Sequence, residues 1–261
     1  MAYEIRPMSF GEILDTGFRL LRNHFGPLMS IAAVVYVPLT LFGQGLESYA
    51  APGAAAPGAD SLLSILGMVA GLLLLLFVGF PLMGAAMTFA LGEAYLGRAP
   101  EAGVSLRRAW RIFLPLMGTQ FLALLIMFGA GLFFIIPGIY FMLAYWLSSQ
   151  VMVLEGTFGM AALRRSRDLM VGNKLRALGV MLVPTILSTV VDGGATWALG
   201  SLPWIQAVVS AVIQAAGIAY LLAVDVVFYF DIRCRKEAFD LEHLARLVEQ
   251  RAADPAAPPA P

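Results

Sequence analysis

Every lysine and arginine of this chain falls in one of four short segments, and two long apolar stretches separate each segment from the next. Arg6, Arg19 and Arg22 form the first group, and Arg98, Arg107, Arg108 and Arg111 the second. Arg164, Arg165, Arg167, Lys174 and Arg176 form the third, and Arg233, Arg235, Lys236, Arg246 and Arg251 the fourth. A helix crossing a bilayer needs about 20 mostly apolar residues. Six stretches qualify, at about 27–46, 62–91, 113–133, 137–154, 178–199 and 203–230. Cationic loops stay on the cytoplasmic side of a membrane. Six spans with both termini cytoplasmic put all 17 basic residues there, and an odd number of spans breaks the sorting. The far side keeps only the acids Glu47, Asp60 and Asp192, with a tight turn expected at Pro137-Gly138.

Composition agrees. The chain is 60% hydrophobic and 13% charged, where soluble domains carry about a quarter charged residues. A single water-soluble core is excluded, and one cysteine excludes a disulfide-stapled fold. No secretory leader is expected before Pro27, because Glu4, Arg6, Glu12, Asp15, Arg19 and Arg22 interrupt that segment. The second and sixth stretches exceed about 20 residues and should tilt, kink or project, with Pro81 and Pro184 as the expected kinks. Ser48–Asp60, rich in Ala, Pro and Gly, reads as a flexible linker.

The basic segments carry helical patterns. Ser9 and Glu12 fit a capping box, followed by Ile13, Leu14, Gly17 and Leu21 on one face and an Asp15–Arg19 pair on the other. This predicts a helix along the membrane surface at about 9–25. Similar helices are expected at about 105–112 and 157–171. Leu106-Arg107-Arg108-Ala109 resembles Leu163-Arg164-Arg165-Ser166, and Pro27-Leu28-Met29 resembles Pro115-Leu116-Met117. The chain thus reads as an amphipathic helix plus two spans, used three times, or as any hairpin protein with basic loops. A last cytoplasmic helix is expected at about 236–251, with Asp240 as N-cap, Phe239 and Leu244 as a staple, and Glu242–Arg246 paired. The reading is one six-span membrane domain over 1–251 and a disordered tail over 252–261, all α.

Catalytic signatures are absent: no Gly-x-Ser-x-Gly, His-Glu-x-x-His or phosphate-binding loop occurs. No cofactor and no metal site is expected, since His24 and His243 lie far apart. Cys234 reads as a plain free thiol. Nucleic acid is excluded as a partner by the zero net charge and the lack of an aromatic-basic module. An ionisable group inside a span is costly and therefore informative. Asp225 lies on one arc of the sixth stretch with Gln206, Ser210, Gln214 and Gly217. That seam lines a solute path, or it is a small-residue packing face with hydrogen bonds between helices. Gly67 and Gly71 read as a close helix contact. Glu93 with Arg98, and Glu155 with Arg164 or Arg165, are expected to close span ends as ion pairs. Arg107, Arg108, Arg164, Arg165 and Arg167 are the candidate contacts for anionic lipid headgroups or a protein partner.

Several longer motifs then stand out. They are Arg6-Pro7-Met8-Ser9-Phe10-Gly11-Glu12-Ile13-Leu14-Asp15, Ile136-Pro137-Gly138-Ile139-Tyr140, and Val153-Leu154-Glu155-Gly156 with Ala161–Ser166. The segment from Phe228 to Glu242 closes the set. Together these resemble the bacterial family named for the membrane domain of glycerophosphoryl diester phosphodiesterase, up to about Gln250. The resemblance implies a multi-span helical module of the bacterial inner membrane, in some members fused to a catalytic domain. The paired histidine and acidic metal ligands of such a domain are missing here, so no activity is expected. The expected role is a non-enzymatic scaffold or partner-binding protein, working in contact with membrane lipids and through its cytoplasmic helices, self-association included. The alternatives are a small-solute transporter or channel along the sixth span, and a lipid-handling protein with a lateral groove.

Overall fold

A computed structural model describes residues 6–50, 59–133, 135–200 and 203–238, and among these there is no strand. Three short amphipathic helices alternate with pairs of long apolar ones. Helix α1 is Phe10–Asn23, α2 Phe25–Ala50, α3 Ala59–Leu74 and α4 Phe80–Tyr95. Helix α5 is Ala102–Arg111, α6 Phe113–Phe133, α7 Ile135–Ala144 and α8 the single turn Ser148–Gln150. Helix α9 is Gly159–Met170, α10 Lys174–Leu199 and α11 Pro203–Glu237. Six helical spans are long and apolar enough to cross a membrane. The protein is an all-α, multi-pass membrane protein.

Local chemistry explains the boundaries. Ser9 caps α1: its hydroxyl accepts the Glu12 N–H, and the Glu12 carboxylate accepts the Ser9 N–H at 2.7 Å. Arg6 adds an ion pair at 2.6 Å. Accepting these bonds holds the Glu12 carboxyl well below the usual range, at about 2. Arg19 donates to Thr16 and forms no ion pair with Asp15. The second span is helical from Ala59 but widens into a π turn at Leu75–Gly79, just before Pro81. Proline has no N–H to donate, and its ring crowds the carbonyl four residues back, so the wider turn relieves the clash. Pro184 is buried in α10 without interrupting it. Helix α11 runs 35 residues unbroken, about 52 Å. It therefore outreaches a hydrocarbon core of about 30 Å.

Several boundaries differ from expectation. Ser48–Ala50 belongs to α2, so the first linker is helical where it begins, and residues 51–58 lie outside the described residues. Pro137 and Gly138 fall in the first turns of α7, not in a turn between helices, because proline suits a helix start. Asp192 lies inside α10. The second short helix starts at Ala102, three residues before Ser105, and the third at Gly159. The helix expected at 236–251 lies outside the described residues, apart from the end of α11.

Each short helix leans on the pair of spans that precedes it. Helix α5 packs on α2 and α4, and α9 packs on α6, α7 and the segment from α8 to Glu155. Helix α1 packs chiefly on α11, with smaller contacts to α10, α2 and α4. The three units therefore close into a ring. The expected surface helix α1 is in fact docked. Gly17 faces Val224, where an added Cβ would sit 2.5 Å from Val224 Cγ2 and 3.0 Å from its backbone nitrogen. The Tyr220 hydroxyl donates to the Leu14 carbonyl at 3.3 Å, and Phe18 meets the Tyr220 ring edge-on.

The buried core gathers at the end where the short helices lie, called here the basic end. Ile13, Leu20, Leu28, Met87, Leu91, Leu147, Phe228 and Tyr229 are all fully buried there. Toward the opposite end Leu63 on α3 is 75% exposed, Trp197 on α10 88% and Trp204 on α11 68%.

Candidate functional site

Polar groups at the basic end fall into three clusters, one where each second span meets a short helix or the segment before it. The largest is built on Asp231, whose carboxylate is fully buried. It accepts the Met8 N–H at 2.6 Å, Arg176 Nη1 at 3.1 Å and Arg235 Nε at 3.1 Å. The Met8 carbonyl accepts Arg176 Nη2 at 3.0 Å and Arg235 Nη2 at 2.6 Å. One carboxylate and two guanidiniums thus satisfy both backbone groups of Met8, whose side chain is buried. The segment ahead of α1 is fastened to the ends of α10 and α11. Such a full set of donors offsets the cost of burying a carboxylate.

The second cluster joins the fourth span to α9 and α11. Glu155 accepts Arg165 Nε at 3.0 Å and the Tyr229 hydroxyl at 2.7 Å. Arg165 also pairs with Glu237, which pairs with Arg233 at 2.9 Å. Two carboxylates, Glu237 foremost, push the Arg165 pKa up and keep the guanidinium charged. In the third, Arg108 of α5 pairs with Glu93 of α4. The expected partner Arg98 gives Glu93 only a backbone bond, its N–H to the Glu93 carbonyl.

Of the five arginines singled out from sequence, two bridge elements, Arg108 while still exposed to its surroundings. Arg108 and Arg165 hold helices together. Arg107 and Arg164 are exposed and make no ion pair with any described residue, and exposed Arg167 meets only its neighbour Asp168 at 3.6 Å. At helical spacing, adjacent residues point about 100° apart. In each Arg-Arg pair only the second member reaches a carboxylate of a neighbouring element, and Arg108 stays exposed while doing so. Trp110, 62% exposed and stacked on Phe113, stands beside Arg107 and Arg111 on α5.

The seam of Gln206, Ser210, Gln214 and Asp225 divides in two. Gln214 donates to Ser210 at 3.0 Å and to Asp192 of α10 at 3.2 Å, while Gln206 is half-buried on the same helix. Asp225 lies eleven residues further on, about 16 Å along the axis. It is 3% exposed and accepts the Trp146 indole N–H at 2.8 Å. No described arginine or lysine forms an ion pair with it. Trp146 occupies the break between α7 and α8. That break exposes the end of α7, and Ser166 of α9 donates to its Ala144 carbonyl at 2.9 Å. Just beyond, Gln150 is 2% exposed and its Oε1 has no partner.

Sequence reasoning missed Trp146, Arg176, Arg235 and the Asp192 contact. Asp231 is six residues from Asp225 and four from Arg235, which signalled an i,i+4 pair. Nothing in the sequence pointed to Met8. His24 touches only the Leu20 carbonyl, Cys234 is buried, and no metal-binding group of three or more ligands occurs among the described residues. His243 lies outside them.

Residues 104–247, more than half of the chain, match the model of a family described as a domain of unknown function (DUF8558). No curated protein and no solved structure matches the chain.

Proposed function

The chain belongs to that family, and on this premise we propose that it is a non-enzymatic scaffold or partner-binding protein of the bacterial inner membrane. Both termini face the cytoplasm, and the basic end is the working surface. The observation that carries the reading is the division among arginines. Arg108, Arg165, Arg176 and Arg235 fix the short helices to the spans, while Arg107 and Arg164 on the same layer are exposed without an ion pair to any described residue and exposed Arg167 meets only Asp168. A rigid platform with free cations suits an acidic partner or anionic headgroups. The resemblance to glycerophosphoryl diester phosphodiesterase membrane domains supports a multi-span membrane module.

The test is affinity purification in mild detergent. We expect a stoichiometric partner that Arg107→Glu with Arg164→Glu releases; recovery of this chain alone removes the partner reading. For orientation, a reporter active only outside the cytoplasm and fused to Pro261 should stay silent.

A transporter reading has one observation in its favour: the fourth span breaks where Trp146 meets Asp225. Irregular backbone at membrane depth is tolerated when buried in protein or lining a cavity. Proton- or solute-flux through vesicles decides it: equal flux for the wild type and Asp225→Asn removes the path.

A further inference from the structure

Between α2 and α11 lies an apolar crevice of about 520 Å³. On α2 it starts at Phe25, passes Tyr36 and ends at Leu41, about 24 Å at 1.5 Å per residue. Its α11 side is Val208, Ala211, Val212 and Ala215, and the two alanines leave the space open. Phe25, Leu41 and Val208 on its rim are exposed. Two side chains of the lining carry hydroxyls: Thr40 donates to the Tyr36 and Val37 carbonyls of its own helix, and Tyr36 is 7% exposed.

The crevice lies within the segments that cross the membrane, where the surrounding medium is hydrocarbon and holds no water. An apolar cavity open to that medium takes up an acyl chain. Charge then selects the kind of lipid and its direction. Arg19 and Arg22 lie within two turns of Phe25 at the α1–α2 junction, are exposed, and make no ion pair with any described residue. No lysine or arginine occurs between Arg22 and Arg98 or between Arg176 and Arg233, so the far end of the crevice offers an anion nothing. We propose that this crevice binds one acyl chain of an anionic phospholipid, with its phosphate at Arg19 and Arg22. The surface is separate from the layer of α5 and α9 assigned above.

The experiment is native mass spectrometry of the full chain in mild detergent, titrated with phosphatidylglycerol or with phosphatidylcholine. We expect a first tight lipid, with phosphatidylglycerol favoured about fivefold for each arginine engaged. Ala211→Phe, which fills the crevice, should weaken that first binding about tenfold or more. Arg22→Gln, on the surface, should reduce the preference for phosphatidylglycerol about fivefold and leave phosphatidylcholine unchanged. Leu63→Phe on lipid-facing α3 should leave both titrations as in the wild type. Equal binding of the two lipids, wild-type binding by Ala211→Phe or Arg22→Gln, or the same loss in Leu63→Phe would each overturn the proposal. If Ala211→Phe does not accumulate, Arg22→Gln reads the same site in a chain whose packing is untouched.

Discussion

The two halves of α11 have opposite surroundings. From Ala215 to Ile232 it is enclosed by helices from all three units, whereas Trp204, Ile205, Val208 and Val212 are exposed. Apolar surface alone does not draw helices together in a bilayer, because lipid tails solvate it as well as leucine does. Association needs close backbone approach or polar contacts. The basic end has both, in Gly17 on Val224 and in the clusters around Asp231, Glu155 and Glu93. Toward the opposite end Asp192 meets Gln214, and α3 lies against α2 with Gly71 beside the Phe42 ring and Gly45 beside Met68, while its other faces stay exposed.

Several substitutions can break or sharpen this contrast. Asp231→Ala leaves Arg176, Arg235 and the Met8 N–H without their acceptor. Breaking a buried pair costs about 3–5 kcal/mol, and we expect the variant to unfold at markedly lower SDS in mixed micelles. Gly17→Ala drives a methyl against the Val224 backbone. Overpacking of this kind costs about 1–3 kcal/mol, and the same titration should show it. Leu66→Ala, the mirror case on 64% exposed α3, should shift unfolding by under about 0.5 kcal/mol. A Leu66→Ala loss as large as that of Gly17→Ala would mean the opposite end is covered by a partner.

The smallest effect is a pH dependence. Glu12 titrates at about 2 in the folded protein against an ordinary 4.5. Its folded pKa is depressed, so its contribution is complete above about 4.5 and is lost as pH falls toward 2. Pepsin cleavage near Phe10 should rise across that window faster in the wild type than in Glu12→Gln.

The spans and the short helices were legible because hydropathy and charge sorting are local. So was the capping box at Ser9 and Glu12. What could not be read was which partner each charge would choose. Arg108 and Arg165 occupy matching places in two similar tetrapeptides, and both pair with a glutamate at the end of a span; at the equivalent of these places in the first unit the ring closes differently, through Asp231 and the Met8 backbone. A backbone N–H carries no sequence signature, and a 223-residue separation leaves no periodicity to follow. Trp146 was hidden for a related reason: it sits in a break of the fourth span, where the helical period that would place it is lost. Asp225 stood out as an acid within a span, but its indole partner comes from that break. The polar seam failed as one unit because helical phase records direction around an axis and not which neighbour stands at each depth.

The ring also sets a schedule. Helix α1 is made first and its docking surface on α11 last, with about 180 residues between Asn23 and Pro203. At roughly 5–20 residues per second, that is on the order of 10–40 s of synthesis during which Gly17 and its neighbours have no seat. A ribosome that stalls anywhere before the sixth span leaves the first helix uncovered.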